Sequence, residues 1–254
     1  RPDPAQRIGI EEIDLPMPSG ISDAYLAHPA DDGAWPGVLF IMDAIGLRPR
    51  IADMVSRIAS WGYAVLAPNT FYRAGRQPLV APELLTVERQ AERMARFGEL
   101  IPSLTPGLWA ADGPAYLEHL TTLAVVAHDV PTRVVGYCMG GRLALTLAAQ
   151  RPEQVGVVAG FHPGGLVTDT PDSPHTLLDR VRARVYFGYA DHDGSMPAAA
   201  QETLAAAART AGCNLTGELY ADAAHGFTMA DVPAYNAGAE ARHWRELERV
   251  FTEG

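Results

Sequence analysis

Short apolar runs alternate with longer amphipathic stretches along most of the chain, and this alternation limits the possible folds more than any other sequence feature. The pattern predicts strands over residues 37–42, 63–67, 133–136, 155–161, 184–188 and 216–220, and helices over 50–61, 84–97, 114–127, 139–150, 198–211 and 235–251. Most strand-like runs are bounded by Pro or Gly and lack polar alternation, which is typical of strands covered on both faces. We therefore expect one α/β domain over residues 1–254, with a mostly parallel central sheet and helices on both faces.

One cysteine lies between glycines at the junction of a predicted strand and the helix that follows it. The segment reads Gly136-Tyr137-Cys138-Met139-Gly140-Gly141. In a nucleophile elbow the attacking side chain occupies such a strained turn, and small neighbours let strand and helix pass closely beside it. The N-terminal end of the helix also favours a thiolate and any oxyanion formed there. A lone cysteine is more often a buried structural residue, but a structural role needs none of this geometry, so we interpret Cys138 as a nucleophile.

Composition and charge argue against several kinds of function. The formal net charge of −10 disfavours nucleic acid and anionic membranes as partners. Every basic side chain is arginine, so lysine Schiff-base chemistry and a P-loop lysine are absent. No apolar run approaches the roughly 18 residues of a membrane span, and we expect no leader peptide. Cys138 and Cys213 lie in different contexts, which argues against a disulfide framework and favours a reducing cytoplasm.

An acid and a histidine follow Cys138 at the ends of later predicted strands. This order of nucleophile, acid and histidine is the one found in α/β-hydrolases. His225 follows strand 216–220 and precedes a glycine, so its imidazole can reach the sulfur and act as a general base. Asp191 and Asp193 both follow strand 184–188, and either could orient the histidine.

Other polar residues near these strand ends also have ordinary structural explanations. Asp191, His192 and Asp193 resemble a fragment of a metal site, but the pattern is short and common, so we predict no metal and no cofactor. His162 follows strand 155–161 and could line a pocket, although a structural hydrogen bond at a strand end is the simpler interpretation. The irregular segment 73–113 could cover the site or be a surface connection.

These motifs together resemble the dienelactone hydrolase family of α/β-hydrolases, over essentially the whole chain. Residues 136–141 resemble the cysteine elbow of that family, residues 221–227 its histidine loop, and residues 61–68 its second core strand. The resemblance implies that Cys138 is the nucleophile and His225 the base. Counting from Pro197 or Phe187 assigns the acid to Asp193, whereas counting from Gly188 favours Asp191; we take Asp193.

The resemblance also implies roles for loop residues. Family members carry a glutamate after the first core strand that contacts the resting cysteine, and here Asp43 occupies that position as a shorter thiol-tuning acid. Asp43 could instead cap the helix that begins near Arg50. The backbone N–H groups of Ala44 and Met139 would form the oxyanion hole. The family prototype binds an anionic lactone through arginines, one of them just after the histidine, where this chain has none; Arg73 could supply such a contact or lie on the surface.

We therefore expect a cytoplasmic, cysteine-dependent hydrolase of esters or lactones that works through a Cys138-Asp193-His225 triad and an acyl-enzyme. Its expected partner is a small-molecule substrate, with neither nucleic acid nor membrane, and its expected state is a monomer or small homo-oligomer. Because fold does not fix function, the alternative is a non-catalytic protein of the same fold that binds a small carbonyl ligand or senses oxidants through Cys138.

Overall fold

The computed structural model describes residues 7–253, in two compact units that divide between Arg133 and Val134. The strands are β1 (Ile8–Met17), β2 (Gly20–Pro29), β3 (Gly37–Ile41), β4 (Ala64–Pro68), β5 (Thr132–Tyr137), β6 (Val155–Phe161), β7 (Arg184–Ala190) and β8 (Leu215–Tyr220). The helices are α1 (Pro49–Ala59), α2 (Gln90–Ser103), α3 (Pro106–Thr122), α4 (Met139–Gln150), α5 (Ala198–Ala211) and α6 (Ala237–Thr252). Strands alternate with helices from β3 onwards, which confirms the predicted α/β class. The prediction of one domain over residues 1–254 stays a prediction.

The first unit contains strands in the order β1-β2-β4-β3. β1 and β2 form an antiparallel hairpin that closes between Met17 and Gly20, and Gly20 adopts a φ of +145°. β2 also pairs antiparallel with β4, whereas β3 and β4 are parallel. The sequence pattern does not predict this hairpin, because β1 is an edge strand whose Glu11 and Glu12 are exposed, so it carries no continuous apolar run.

Helix α1 shows why the predicted helix over 50–61 forms. Proline is favoured at the first helical position, and Pro49 occupies it. The buried side chains recur at helical spacing, and they are Ile51, Met54, Val55, Ile58 and Ala59. One apolar stripe is therefore covered while the other face remains polar.

Two helices of the first unit differ from their predicted bounds. The segment predicted as a helix over 84–97 is a short 3₁₀ turn, Pro82–Leu85, followed by α2 from Gln90. The buried Arg93 donates to the carbonyl oxygens of Leu84 and Thr86, which satisfies backbone acceptors that a continuous helix would have used. The helix predicted over 114–127 is α3, which begins earlier, at Pro106. The Thr105 hydroxyl caps this end by accepting the N–H of Leu108 at 3.2 Å.

The second unit follows the sequence pattern closely. Its strands lie in the order β5-β6-β7-β8, with β6, β7 and β8 paired in parallel. The observed bounds of β6, α4 and α5 are the predicted ones. Local signals explain the helix ends: Asn236 caps α6 by accepting from the N–H of Ala239, and Gly212 ends α5 in the left-handed conformation with φ +68°.

The first turn of α4 passes its neighbours with no room for a side chain. A Cβ at Gly136 would lie 2.0 Å from the carbonyl oxygen of Gly140. A Cβ at Gly141 would lie 2.7 Å from the Cβ of Pro163 in the loop after β6. The glycines that suggested an elbow are therefore required by close backbone approach.

We predict that Gly136→Ala destabilises the protein by about 3 kcal/mol or more, because the methyl group collides with backbone that cannot move independently of α4. Chemical denaturation measures the change. Gly98→Ala is the matched control, since Gly98 lies within α2 with nothing within 4 Å of its Cβ position and the exchange should stabilise the protein by roughly 0.5–1 kcal/mol. Equal stability of the two variants would contradict the steric argument.

Candidate active site

Cys138 occupies the turn between β5 and α4 in a strained conformation. Its φ is +56° and its ψ is −123°, backbone angles that residues other than glycine rarely adopt. Two backbone hydrogen bonds hold the turn: the N–H of Cys138 donates to Phe161 at 3.1 Å, and the N–H of Gly141 donates to Cys138 at 3.1 Å. The side chain remains partly exposed. The sulfur is thus held at the N-terminal end of α4.

His225 reaches this sulfur from the loop between β8 and α6. Its Nε2 lies 3.0 Å from Sγ of Cys138, within hydrogen-bond distance for sulfur. Gly226 follows it with a φ of +95°, and the N–H of Phe227 donates back to Ala224 at 3.0 Å. The tight turn therefore directs the imidazole towards the cysteine.

Asp193 lies on the other side of the histidine. Its Oδ2 accepts a hydrogen bond from Nδ1 of His225 at 2.6 Å. Its Oδ1 accepts two more, from the N–H of Ser195 at 2.8 Å and from the Ser195 hydroxyl at 2.7 Å. Only 5% of the Asp193 side chain is exposed. Both carboxylate oxygens are therefore occupied, and the carboxyl plane is fixed against the histidine.

Asp191 has different partners. Its Oδ2 accepts from the N–H of Asp222 at 2.8 Å, and its own N–H donates to the carbonyl of Ala223 at 2.7 Å. These bonds tie the loop after β7 to the loop that carries His225. Of the two aspartates that the sequence left open, Asp193 thus contacts the imidazole and Asp191 joins the two loops.

The contacts of His225 determine its charge. Burial alone would lower its pKa, but the Cys138 thiolate and Asp193 outweigh burial and raise the pKa from 6.5 to about 11. Burial would likewise raise the pKa of Asp193, yet hydrogen bonds from His225 and Ser195 lower it. These contacts therefore favour the imidazolium form of His225 around neutral pH.

His162 follows β6 and contacts the ring of His225. It is fully buried, with a φ of +38°, and its Nε2 is 2.8 Å from the hydroxyl of Thr228. Its ring packs edge-on against His225, with ring centres 5.3 Å apart. Burial, together with the nearby His225 and His243, holds the pKa of His162 well below 6.5, so the ring is neutral. Its predicted substrate contact stays a prediction.

The first unit holds the other two predicted side chains in ion pairs. Asp43 binds Arg48 through both carboxylate oxygens, at 2.8 and 3.0 Å, and accepts the N–H of Gly46. Asp43 does not cap α1, whose N-cap is Arg48. Arg73 binds the buried Asp112 at 2.5 and 3.0 Å. The predicted roles of Asp43 towards the thiol, Arg73 towards substrate and Ala44 as an oxyanion donor stay predictions.

A sequence profile of the dienelactone hydrolase family matches residues 22–253. The chain belongs to the dienelactone hydrolase family. This match covers nearly the whole chain and confirms the resemblance that the cysteine elbow and the histidine loop indicate. The protein is therefore a hydrolase of this family.

Similar proteins agree with this assignment. The chain is 29% identical over 265 residues to a "putative carboxymethylenebutenolidase" of Salmonella typhi, covering 99% of this chain and 89% of that protein. A protein of the same name from Methylorubrum extorquens is 26% identical, covering 95% and 80% of the two chains.

Solved structures of related fold extend the comparison. The crystal structure of a "putative dienelactone hydrolase" from Klebsiella pneumoniae superposes with a TM-score of 0.84 at 22% identity, covering 98% of this chain and all of that one. A dienelactone hydrolase-like promiscuous phosphotriesterase from metagenomic libraries gives 0.76 at 20% identity, covering 97% and 98%. These neighbours confirm the α/β-hydrolase fold.

Residues 7–253 contain neither a metal-binding cluster nor a membrane-spanning helix. No group of three or more His, Cys, Asp or Glu side chains there could hold a metal ion. Among the same residues, no helix has both the length and the apolar character of a membrane span.

Ser195 belongs to the candidate site but was not predicted from the sequence. The available signal was its position two residues after Asp193, because an aspartate often accepts bonds from the residue two places on. That spacing is common in ordinary turns, so the sequence alone could not distinguish a turn from a support for the acid.

We predict that Cys138→Ala lowers the pKa of His225 from about 11 by at least one unit. The negative charge of Cys138 raises this pKa more than Asp193 does. Titration of the imidazole ¹⁵N resonances measures this pKa. Cys213→Ala is the control and should leave the titration unchanged. An unchanged titration in Cys138→Ala would show that Asp193 alone holds the proton.

The same shift makes stability depend on pH. The pKa of His225 in the folded protein exceeds its ordinary value of 6.5. Imidazolium formation therefore contributes fully to stability below about pH 6.5, and this contribution is lost as the pH rises through about 11. In Asp193→Asn we expect the loss to begin at the same pH, to be smaller and to end below about pH 11, as measured by the free energy of unfolding across this range.

Proposed function

We propose that the protein hydrolyses carboxylic esters or lactones through an acyl-enzyme on Cys138. The observation that carries the proposal is the continuous line of contacts from Cys138 Sγ through His225 to Asp193, with distances of 3.0 and 2.6 Å. A nucleophile, a base and an orienting acid in hydrogen-bond contact are the parts that covalent acyl transfer needs.

The first half-reaction begins with Cys138 as a thiolate beside a protonated His225. The Cys138 thiolate attacks the substrate carbonyl carbon, forming a C–S bond as the carbonyl π electrons move to oxygen. Met139 opens α4, so its N–H has no partner within the helix and can donate to that oxyanion. As the tetrahedral intermediate collapses, the C–O bond breaks and His225 gives its Nε2 proton to the leaving oxygen.

The second half-reaction regenerates the enzyme. His225 is now neutral and takes a proton from water as the water oxygen attacks the thioester carbonyl. Collapse breaks the C–S bond, which releases the acid and restores the thiolate and imidazolium pair. Asp193 keeps Nδ1 protonated throughout, so that Nε2 remains the atom that exchanges protons.

The nucleophile also sets a preference among substrates. A thiolate attacks well but is itself a good leaving group, so the tetrahedral intermediate returns to substrate unless the oxygen leaving group is comparably good. Enol, phenyl and strained lactone esters should therefore react faster than alkyl esters, and amides should react least. The expectation follows from sulfur chemistry alone and is independent of pocket shape.

We predict a burst of phenolate from a chromogenic phenyl acetate, with one acetyl group added to the protein and located on Cys138 by mass spectrometry. His225→Ala should lower the acylation rate by about a thousandfold or more, and Cys138→Ala should abolish the adduct. Cys213→Ala is the matched control, because it removes the other cysteine and should keep the full burst.

Other results would contradict this mechanism. Full turnover by Cys138→Ala would exclude the cysteine as nucleophile. Absence of both adduct and turnover across a panel of aryl and enol esters, combined with slow alkylation of Cys138, would favour a protein that binds carbonyl ligands or senses oxidants.

We further predict that Ser195 acts through Asp193. Its hydroxyl and N–H both bind Oδ1 of Asp193, and Ser195→Ala removes one of the two bonds. We expect kcat to fall by roughly 3- to 30-fold with little change in KM, and the alkaline limb of the pH profile to move to lower pH, because a less firmly held carboxylate stabilises imidazolium less.

Ser195→Thr is the matched control, since it retains the hydroxyl and should recover most of the activity and the alkaline limb. An unchanged pH profile in Ser195→Ala, or equal loss in both variants, would indicate that Ser195 only shapes the loop.

A further inference from the structure

His162 reaches from the end of β6 to the loop between β8 and α6, which carries His225. Its ring is fully buried, and its Nε2 lies 2.8 Å from the hydroxyl of Thr228, three residues after His225. The same ring packs edge-on against the rings of His225 and Phe227, with ring centres 5.3 and 5.1 Å apart. One side chain thus bonds the loop of the proposed base and also contacts the base itself.

The backbone of His162 is anchored at the strand ends. Its N–H donates to the carbonyl oxygen of Gly188 on β7 at 2.8 Å. The preceding Phe161 accepts the N–H of Cys138 at 3.1 Å, so the same strand end also holds the cysteine turn. The φ of His162 is +38°, a left-handed value that is uncommon for residues other than glycine. The ring is therefore attached to backbone that is fixed relative to the sulfur.

The glycines that follow this ring lie against the other half of the triad. A Cβ at Gly164 would lie 2.7 Å from Oγ of Ser195 and 3.9 Å from Cε1 of His225. The N–H of Gly165 donates to the carbonyl oxygen of Ser195 at 3.0 Å. Segment 162–165 is therefore in contact with both the proposed base and the residue that supports the proposed acid.

An imidazole at this position has a cost that a phenyl ring would avoid. Nδ1 of His162 is buried and has no hydrogen-bond partner within residues 7–253. A buried polar atom without a partner is destabilising, whereas a phenyl ring would fill much of the same space without one. What the imidazole provides in return is the hydrogen bond between its Nε2 and Thr228.

We propose that His162 is a positioning residue for His225, which it holds in place through its hydrogen bond to Thr228. The inference rests on the proposed function, in which Nε2 of His225 exchanges protons with the leaving group and with water. Bonds at Nδ1 and Nε2 of His225 leave its ring able to tilt about the line that joins these atoms. The bond to Thr228 fixes the orientation of the His162 ring, and packing of that ring opposes the tilt.

Two variants remove the bond from opposite sides. His162→Phe keeps an aromatic ring, and Thr228→Val keeps the branched shape of threonine. The double variant shows whether both changes act through one interaction. Thr228→Ser retains the hydroxyl. His175→Phe is the matched control, because its Nδ1 also bonds a hydroxyl, that of Ser173 at 2.6 Å, in the 3₁₀ turn Pro174–Arg180 of the same unit.

We expect kcat for a chromogenic phenyl acetate to fall by about 10- to 100-fold in His162→Phe and in Thr228→Val, with KM changed by less than about twofold. The double variant should be no slower than the slower single variant. Thr228→Ser should recover most of the activity, and His175→Phe should lose none. The ¹H resonance of the Nδ1 proton, which lies between His225 and Asp193, should shift and broaden in His162→Phe and Thr228→Val, because a mobile imidazole holds this bond less firmly.

Three results would overturn the inference. An unchanged kcat and an unchanged Nδ1 resonance in folded His162→Phe would show that the bond does not act on the base. A higher KM at constant kcat would indicate that His162 contacts substrate instead. Additive losses in the double variant would show that the two residues act separately. Failure of the proposed hydrolase is distinguishable, because it would remove the acyl adduct in the unsubstituted protein, whereas the Nδ1 resonance compares the variants without turnover.

Discussion

The close approach of the first turn of α4 to its neighbouring backbone is the constraint on which the site depends. Helix α4 begins immediately after β5, and Gly136 and Gly141 therefore have no space for a Cβ. The chain can turn that sharply only if Cys138 adopts a positive φ, and the bond from its N–H to Phe161 holds it there. This strain fixes the direction of the Cys138 side chain, and therefore the position that His225 must reach.

Rigid loops supply the remaining groups. Asp193 and Asp191 are two residues apart, yet one orients the imidazole and the other joins its loop to the loop that carries His225. The proposed triad needs its groups held to within about 0.5 Å, and hydrogen bonds between the two loops restrict their movement. The division between the two aspartates meets that need, with Ser195 fixing the remaining oxygen of Asp193.

Much of this arrangement could be predicted because strong local signals agreed with the tertiary fold. Helix α4 and strand β6 have their predicted bounds, since glycine, proline and apolar periodicity all mark the same residues. The hairpin of β1 and β2 could not be predicted, because an exposed edge carries charged residues. The start of α2 depends on long-range bonds from Arg93 to carbonyl groups of the preceding turn. Likewise, only the fold distinguishes Asp193 from Asp191, because their spacing suits either role.

The partly buried charged groups differ in how they are compensated. In the first unit, Arg48 and Asp43 compensate each other at 2.8 and 3.0 Å, and Asp112 compensates Arg73. Removing one partner of such a pair would leave a buried charge without compensation, at a cost of about 3–5 kcal/mol. Within residues 7–253, Arg142 has no acidic partner, although it lies in the first turn of α4, at the helix end where a cation is least favoured. Among the described residues, its half-buried guanidinium therefore has none of the compensation that Arg48 and Arg73 receive.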